Sequence, residues 1–177
     1  MRVAIATVQV PFISGGAEIH ARLLRENLVQ RGHEADIVTI PFKWYPEETL
    51  LDSLRMAALV DLTQVNGEPI DRVIALKFPM YALRHPRKTV WLLHQHRQAY
   101  ELWETPYGDL HNMAAGEAVR EQIMAFDNRA LGEARHVYTT SETVSRRLLE
   151  FNGIESTPLY HPPRHHATLH CRSYDDF

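Results

Sequence analysis

Val3-Ala4-Ile5-Ala6-Thr7-Val8-Gln9-Val10, followed by Pro11-Phe12-Ile13-Ser14-Gly15-Gly16-Ala17-Glu18-Ile19-His20, is the passage that decides the fold class. An apolar, partly β-branched run of buried-strand type stops at Pro11. Two glycines then allow a tight turn, and an amphipathic helix begins near Ala17. The unpaired N–H groups of that helix's first turn, with the helix dipole, suit an anion. Gly15 and Gly16 carry no Cβ to hold a ligand away from the backbone. A plain strand-to-helix turn reads the same way, so the passage gives architecture before it gives a ligand.

Outward from this unit, strands and helices alternate. The helix predicted over 17–30 places Ile19, Leu23, Leu24, Leu28 and Val29 on its buried stripe, and Gly32 stops it. A strand over 35–40 ends at Pro41, before the aromatic loop Phe42-Lys43-Trp44-Tyr45-Pro46. Leu50, Leu51, Leu54, Ala58 and Leu62 predict a helix over 47–63. Strands over 71–76 and 89–93 flank one helical turn at 79–83. Residues 94–113, with Tyr100, Trp103, Pro106 and Tyr107, read as a long polar loop of the functional or mobile kind. A helix over 114–132 and a strand over 136–139 follow. Ser141 N-caps a further helix ended by Asn152-Gly153, and a short strand over 157–160 precedes Pro162-Pro163. Residues 164–177 show no period and read as a linker.

This pattern predicts an α/β protein: a Rossmann-like open parallel sheet with helices on both faces. Ligands of such sheets sit beyond the carboxyl ends of the strands. Those ends are 11–18, 41–45, 77–79, 94–97 and 140–141, and the chemistry is expected there.

The 177 residues, 45% hydrophobic and 23% charged, have room for one folded domain and lack the composition of a disordered chain. A net charge of −3 gives no field for nucleic acid. The single Cys171 excludes an internal disulfide and fits a reducing compartment. No apolar run approaches the ~18–20 residues of a membrane span. Gln9 and Pro11 break the N-terminal apolar stretch, which suits a first strand rather than a signal peptide. A cytoplasmic location is expected.

Several constellations carry chemistry. His94-Gln95-His96-Arg97 closes the strand Val90-Trp91-Leu92-Leu93 and sets two imidazoles and a guanidinium at a carboxyl end. Such a set binds a hydroxyl, takes a proton or neutralises a phosphate. His94 and His96 supply two metal ligands with no third in view, so no metal is expected. His161, His165, His166, His170 and Cys171 lack a paired Cys-x-x-Cys and read as linker rather than a zinc site. Lys77, Arg84, Arg87 and Lys88 form a local basic cluster best read as a solvated face. Trp44 and Tyr45 either stack on a sugar or base or cover a core edge.

The residues also carry a family resemblance. It rests on an ordered set of six segments: Gly15-Gly16-Ala17-Glu18, Gln30-Arg31-Gly32-His33-Glu34, Leu92-Leu93-His94-Gln95-His96-Arg97, Thr139-Thr140-Ser141-Glu142, Phe151-Asn152-Gly153-Ile154 and Tyr160-His161-Pro162-Pro163. Over about residues 1–163 this set resembles the N-terminal half of a GT-B glycosyltransferase of family 4, the retaining, nucleotide-sugar-dependent group. The resemblance implies a two-lobed enzyme whose N-terminal lobe holds the acceptor in the cleft. The glycine turn, with Gly15, Gly16 and Glu18, meets the donor's diphosphate or transferred sugar. His94 corresponds to the family histidine beside that sugar and is the expected catalytic residue. His96, Arg97 and Ser141 face the same cleft as substrate-binding groups. The donor is UDP- or GDP-linked and is a substrate, and neither cofactor nor metal is needed. The acceptor is a glycan, a lipid or a small molecule. By analogy with relatives that glycosylate lipids, peripheral contact with the inner membrane face is implied, although the helix over 47–63 has only Arg55 to attract anionic lipid.

The family's donor lobe, with its Glu-x7-Glu motif, is expected after Pro163, and residues 164–177 would be linker or its start. The pairs Glu18/Glu26 and Glu142/Glu150 have that spacing but lie on helices of the first lobe, so neither is read as the donor motif. The lobe alone is expected to be inactive, because half of the groups that stabilise the transition state are missing. Two other readings stand beside this one. A nicotinamide dinucleotide domain lacks Gly-x-Gly-x-x-Gly here, and Val38-Thr39-Ile40-Pro41 offers no ribose-binding acid. A stand-alone sugar- or partner-binding module predicts a polar surface near Pro162, whereas a lobe predicts an apolar one.

Overall fold

The computed structural model describes residues 1–163 together with His165, Thr168 and Leu169. Six parallel strands form one sheet: β1 (Arg2–Gln9), β2 (Glu34–Pro41), β5 (Arg72–Ala75), β6 (Lys88–Leu92), β7 (His136–Thr139) and β8 (Thr157–Pro158), in the order β2-β1-β5-β6-β7-β8. The helices are α1 (Gly16–Gln30), α2 (Glu48–Leu59), α3 (Gly116–Gly132) and α4 (Glu142–Asn152). The α/β class with an open parallel sheet and helices on both faces is as the sequence predicts. Val3 to Val8 of β1 are buried throughout, as a central parallel strand flanked on both faces requires.

The two faces are covered unequally. α2, α3, α4 and the short turn Met80–Ala82 pack on one face and enclose the main core, including Leu54, Val73, Met80, Leu92, Ile123 and Leu148. Each such side chain contributes about 1.5–3 kcal/mol on burial. α1 alone serves the other face, through Ala21, Leu24 and Leu28 on Ile5, Leu76 and Trp91. Trp91 pairs in register with Tyr138, and Tyr138 with Thr157, so these residues share a face. Beyond Trp91, among the described residues, no helix lies over it.

Three expectations are corrected. The helix over 47–63 stops at Leu59. Val60 turns extended, the backbone of Val60 and Leu62 bonds to Arg84, and the Asp61 carboxylate takes the Thr63 N–H. Gln64–Val65 (β3) and Glu68–Pro69 (β4) then form a hairpin across Asn66-Gly67, both at positive φ, a turn signal that the apolar spacing of the preceding helix obscured. Residues 94–113 are a packed segment rather than a polar loop: two 3₁₀ turns, Arg97–Ala99 and Leu110–Asn112, bury Ala99, Tyr100 and Leu110. Val29 lies on the exposed side of α1, and His20 takes its place in the core.

Candidate functional site

At the carboxyl rim, the ends of β1, β5 and β6 are neighbours, so their loops converge. Gly15 is the N-cap of α1, with an extended backbone. Glu18 closes a capping box: its carboxylate accepts the Gly15 N–H at 2.8 Å and lies 3.5 Å from Lys77 Nζ, just past β5. Burial pushes the Glu18 carboxyl up, but the N–H groups of Gly15 and Glu18 and the Lys77 charge outweigh it, and the group lies below its ordinary range. The helix terminus that suits an anion is therefore already answered by an internal one. An anion at the Gly15 N–H would compete with the Glu18 carboxylate for it.

Beside this latch stands the segment after β6. Its residues alternate: Gln95 turns into the core, while His94 and Arg97 are exposed. His94 Nδ1 is 2.6 Å from the Gln95 carbonyl. A carbonyl can only accept, so Nδ1 carries a proton, and Nε2 is the ring nitrogen left to face a ligand. An imidazole nitrogen so placed can hydrogen-bond a sugar hydroxyl. His96 packs against Phe78 with centroids 5.0 Å apart, and against Phe42 at 6.4 Å. Burial among these rings, helped by the neighbouring His94, lowers its pKa to about 4, so it is neutral at pH 7. Phe42 continues to Trp44 at 6.3 Å, giving a line of rings that runs from the core to the exposed Trp44 and Tyr45. Arg97 is drawn to Glu101 at 2.7 Å, and Arg147 of α4 joins the same carboxylate at 3.1 Å. The Ser141 hydroxyl accepts the Val144 N–H at 3.3 Å and caps α4, whose dipole faces the rim.

The chain matches no protein-family model and no curated protein. Its chemistry therefore rests on this geometry. Gly15, Gly16 and Glu18 after β1, and His94 and His96 after β6, lie on one rim on either side of β5 and its Lys77. Ser141 lies beyond β7, one strand further along, where Thr140 Oγ1 bonds to the Leu93 carbonyl at 3.2 Å. The basic cluster is divided. Lys77 is at the carboxyl rim, while Arg87 and Lys88 are at the opposite end, where Arg87 pairs with Asp71 at 3.8 Å. Lys88 is not solvated as expected: it is buried, with its Nζ 3.4 Å from the Leu83 carbonyl, and burial lowers its pKa. Among the described residues no group of three His, Cys, Asp or Glu could hold a metal, and no helix is long and apolar enough to cross a membrane. His166, His170 and Cys171 lie outside the described residues.

Two buried groups escaped the sequence reading. His20 is edge-on to Trp91 at 4.5 Å and to His161 at 4.7 Å, and its pKa falls to about 4 through burial and the His161 charge. Asp127 is fully enclosed and bonded to two tyrosines. A signal for Asp127 existed: it stands within the stripe Val119, Ile123, Phe126, Ala130 and Leu131 of α3, where a carboxylate needs a dedicated partner.

Proposed function

We propose that this chain is the acceptor-side lobe of a retaining glycosyltransferase that moves a sugar from a UDP- or GDP-linked donor to an acceptor hydroxyl. The observation that carries the reading is the convergence, at one rim, of the glycine turn, Lys77 and the His94–Arg97 segment. A diphosphate and a sugar ring bind side by side, and here an N–H-rich turn with a cation shares the carboxyl rim with an imidazole-bearing segment. The line of rings from His96 to Trp44 extends from that point and suits the apolar face of an acceptor ring. Peripheral contact with a membrane belongs to the same reading where the acceptor is a lipid.

The half-covered sheet supports the identity as a lobe. Beside Pro162, Leu23, Leu24, Leu28 and Trp91 line an apolar groove of about 370 Å³, and the neighbouring Leu159 and Tyr160 are exposed. A surface of this kind fits a unit that packs against a further one better than a stand-alone module. β2 ends at Pro41 with no acid for a ribose, which counts against nicotinamide.

Amide shifts of the isotope-labelled chain, titrated with UDP-glucose, UDP-N-acetylglucosamine and GDP-mannose, test the proposal. One donor should move amides in 13–18, 77–79 and 94–97 at millimolar concentration and leave the opposite rim unmoved. Silence of all three segments with every donor sinks the reading.

A further inference from the structure

A buried carboxylate lies behind the rim, and none of the chemistry above uses it. Asp127 Oδ1 accepts the Tyr81 hydroxyl at 2.6 Å, and Oδ2 accepts the Tyr100 hydroxyl at 2.8 Å. Tyr100 in turn accepts Asn152 Nδ2 at 3.2 Å, and Asn152 Oδ1 takes Gln95 Nε2 at 2.8 Å. Gln95, 1% exposed, is the residue between His94 and His96. Three hydrogen bonds in series therefore tie Asp127 to the site segment.

The cations of the surrounding elements are engaged elsewhere. Arg120 of α3 donates to the Ala99 carbonyl and lies over the Trp103 ring, and Arg147 of α4 pairs with Glu101. Lys88 of β6 turns to Leu83 and Glu133, and Arg55 of α2 binds Asp52. The titratable groups that face Asp127 are the two tyrosine hydroxyls, both held protonated by burial and by the carboxylate itself.

We propose that Asp127 is a positioning residue that couples proton uptake in the core to the setting of the His94–Arg97 segment. The coupling runs through donor direction. An ionised carboxylate only accepts, so both hydroxyls donate to it, and the Tyr100 oxygen keeps a lone pair for Asn152 Nδ2. That bond, together with the one the same Nδ2 donates to Asn128 Oδ1 at 2.6 Å, orients the Asn152 amide with Oδ1 toward Gln95. When Asp127 takes a proton, one of its oxygens becomes a donor. With the proton on Oδ2, the Tyr100 oxygen receives donors from both Asp127 and Asn152, and its own proton loses its acceptor. With the proton on Oδ1, Tyr81 must turn, and the pull on Tyr100 weakens. Either way the series that reaches Gln95 is rewritten from its far end. Burial, opposed by the two hydroxyl bonds, raises the Asp127 carboxyl to about 7, within reach of ordinary pH. The coupling holds whatever ligand the segment meets.

The test follows the Gln95 side-chain amide and the His96 backbone amide by ¹⁵N NMR from pH 5.5 to 8.5. It uses the full chain carrying His94→Gln, which removes the imidazole that bonds the Gln95 carbonyl. Both signals should move together with a midpoint near pH 7, and Asp127→Asn, of the same shape, should abolish the movement. Tyr100→Phe should leave the Asp127 carboxyl titrating by ¹³C NMR while the Gln95 response shrinks at least fivefold. If Asp127→Asn does not fold, Tyr100→Phe decides alone. A Gln95 amide that stays still across this range, that moves equally with Asn at 127, or that keeps its full response with Phe at 100 overturns the proposal.

Discussion

At the residue scale, the glycine turn separates what the fold needs from what a ligand needs. A Cβ added at Gly16 would meet nothing within 4 Å, and Gly16 lies in the first turn of α1 without positive φ. Gly16→Ala should therefore fold with a stability change within about 0.5 kcal/mol, since alanine is the better helix former. If a diphosphate approaches this backbone, the same variant should lose at least fivefold in donor affinity by titration; unchanged affinity removes Gly16 from the site. A Cβ at Gly116 would instead overlap the Leu110 carbonyl, a backbone atom that cannot yield. Gly116→Ala should cost at least 2 kcal/mol in urea unfolding by forcing the 3₁₀ turn off α3. Glu18 belongs with Gly16. Glu18→Gln keeps an acceptor for the Gly15 N–H but gives up the charge that competes with an incoming anion. Inorganic pyrophosphate, titrated by calorimetry, should then bind severalfold more tightly. Weaker binding would mean that Glu18 assists the anion rather than standing in for it.

At the element scale, the strand ends and caps were legible because each follows from local chemistry. Pro41 ends β2, Ser141 caps α4, and Gly153 at φ 65° closes it. Ser141→Ala should cost about 0.5–1 kcal/mol, the lower part of the usual cap range, because its bond to Val144 is a long 3.3 Å. A loss near zero in thermal unfolding would show that water serves the Val144 N–H as well. The illegible elements are those decided by distant partners. Leu62 sits at helix spacing after Ala58, yet the chain leaves the helix because Arg84, 22 positions on, offers its carbonyl. Residues 94–113 look polar in one dimension, yet Tyr100 and Gln95 are buried because Asp127 and Asn152 receive them. The site followed the same division. That the candidate residues lie at the strand ends was readable from topology, whereas the meeting of Arg97 and Arg147 on the one Glu101 carboxylate needed α4 in place.

At the scale of the whole molecule, three buried titratable groups set opposing responses to pH. His20 and His96 are each held near 4 against an ordinary 6.5, chiefly by burial. The stability they contribute is fully present above pH 6.5 and is lost as pH falls toward 4, because the unfolded chain then binds protons that the folded one refuses. Asp127 acts the other way. Its carboxyl is raised to about 7 from an ordinary 3.8, so its contribution is fully present below 3.8 and is lost as pH rises through 7. Over pH 4 to 6.5 the carboxyl therefore offsets part of what the imidazoles lose. Asp127→Asn removes the offset: unfolding by urea should show a steeper loss toward acid and a flatter profile from pH 6 to 8. The stability of the variant relative to the parent should rise by about 3 kcal/mol between pH 4.5 and pH 8, the worth of the shift over that window. A difference that stays constant across the range would place the Asp127 carboxyl at its ordinary value in the folded chain. The hydrogen bonds from Tyr81 and Tyr100 would then fully offset its desolvation, and the core would hold an ionised carboxylate at every pH from 5 upward.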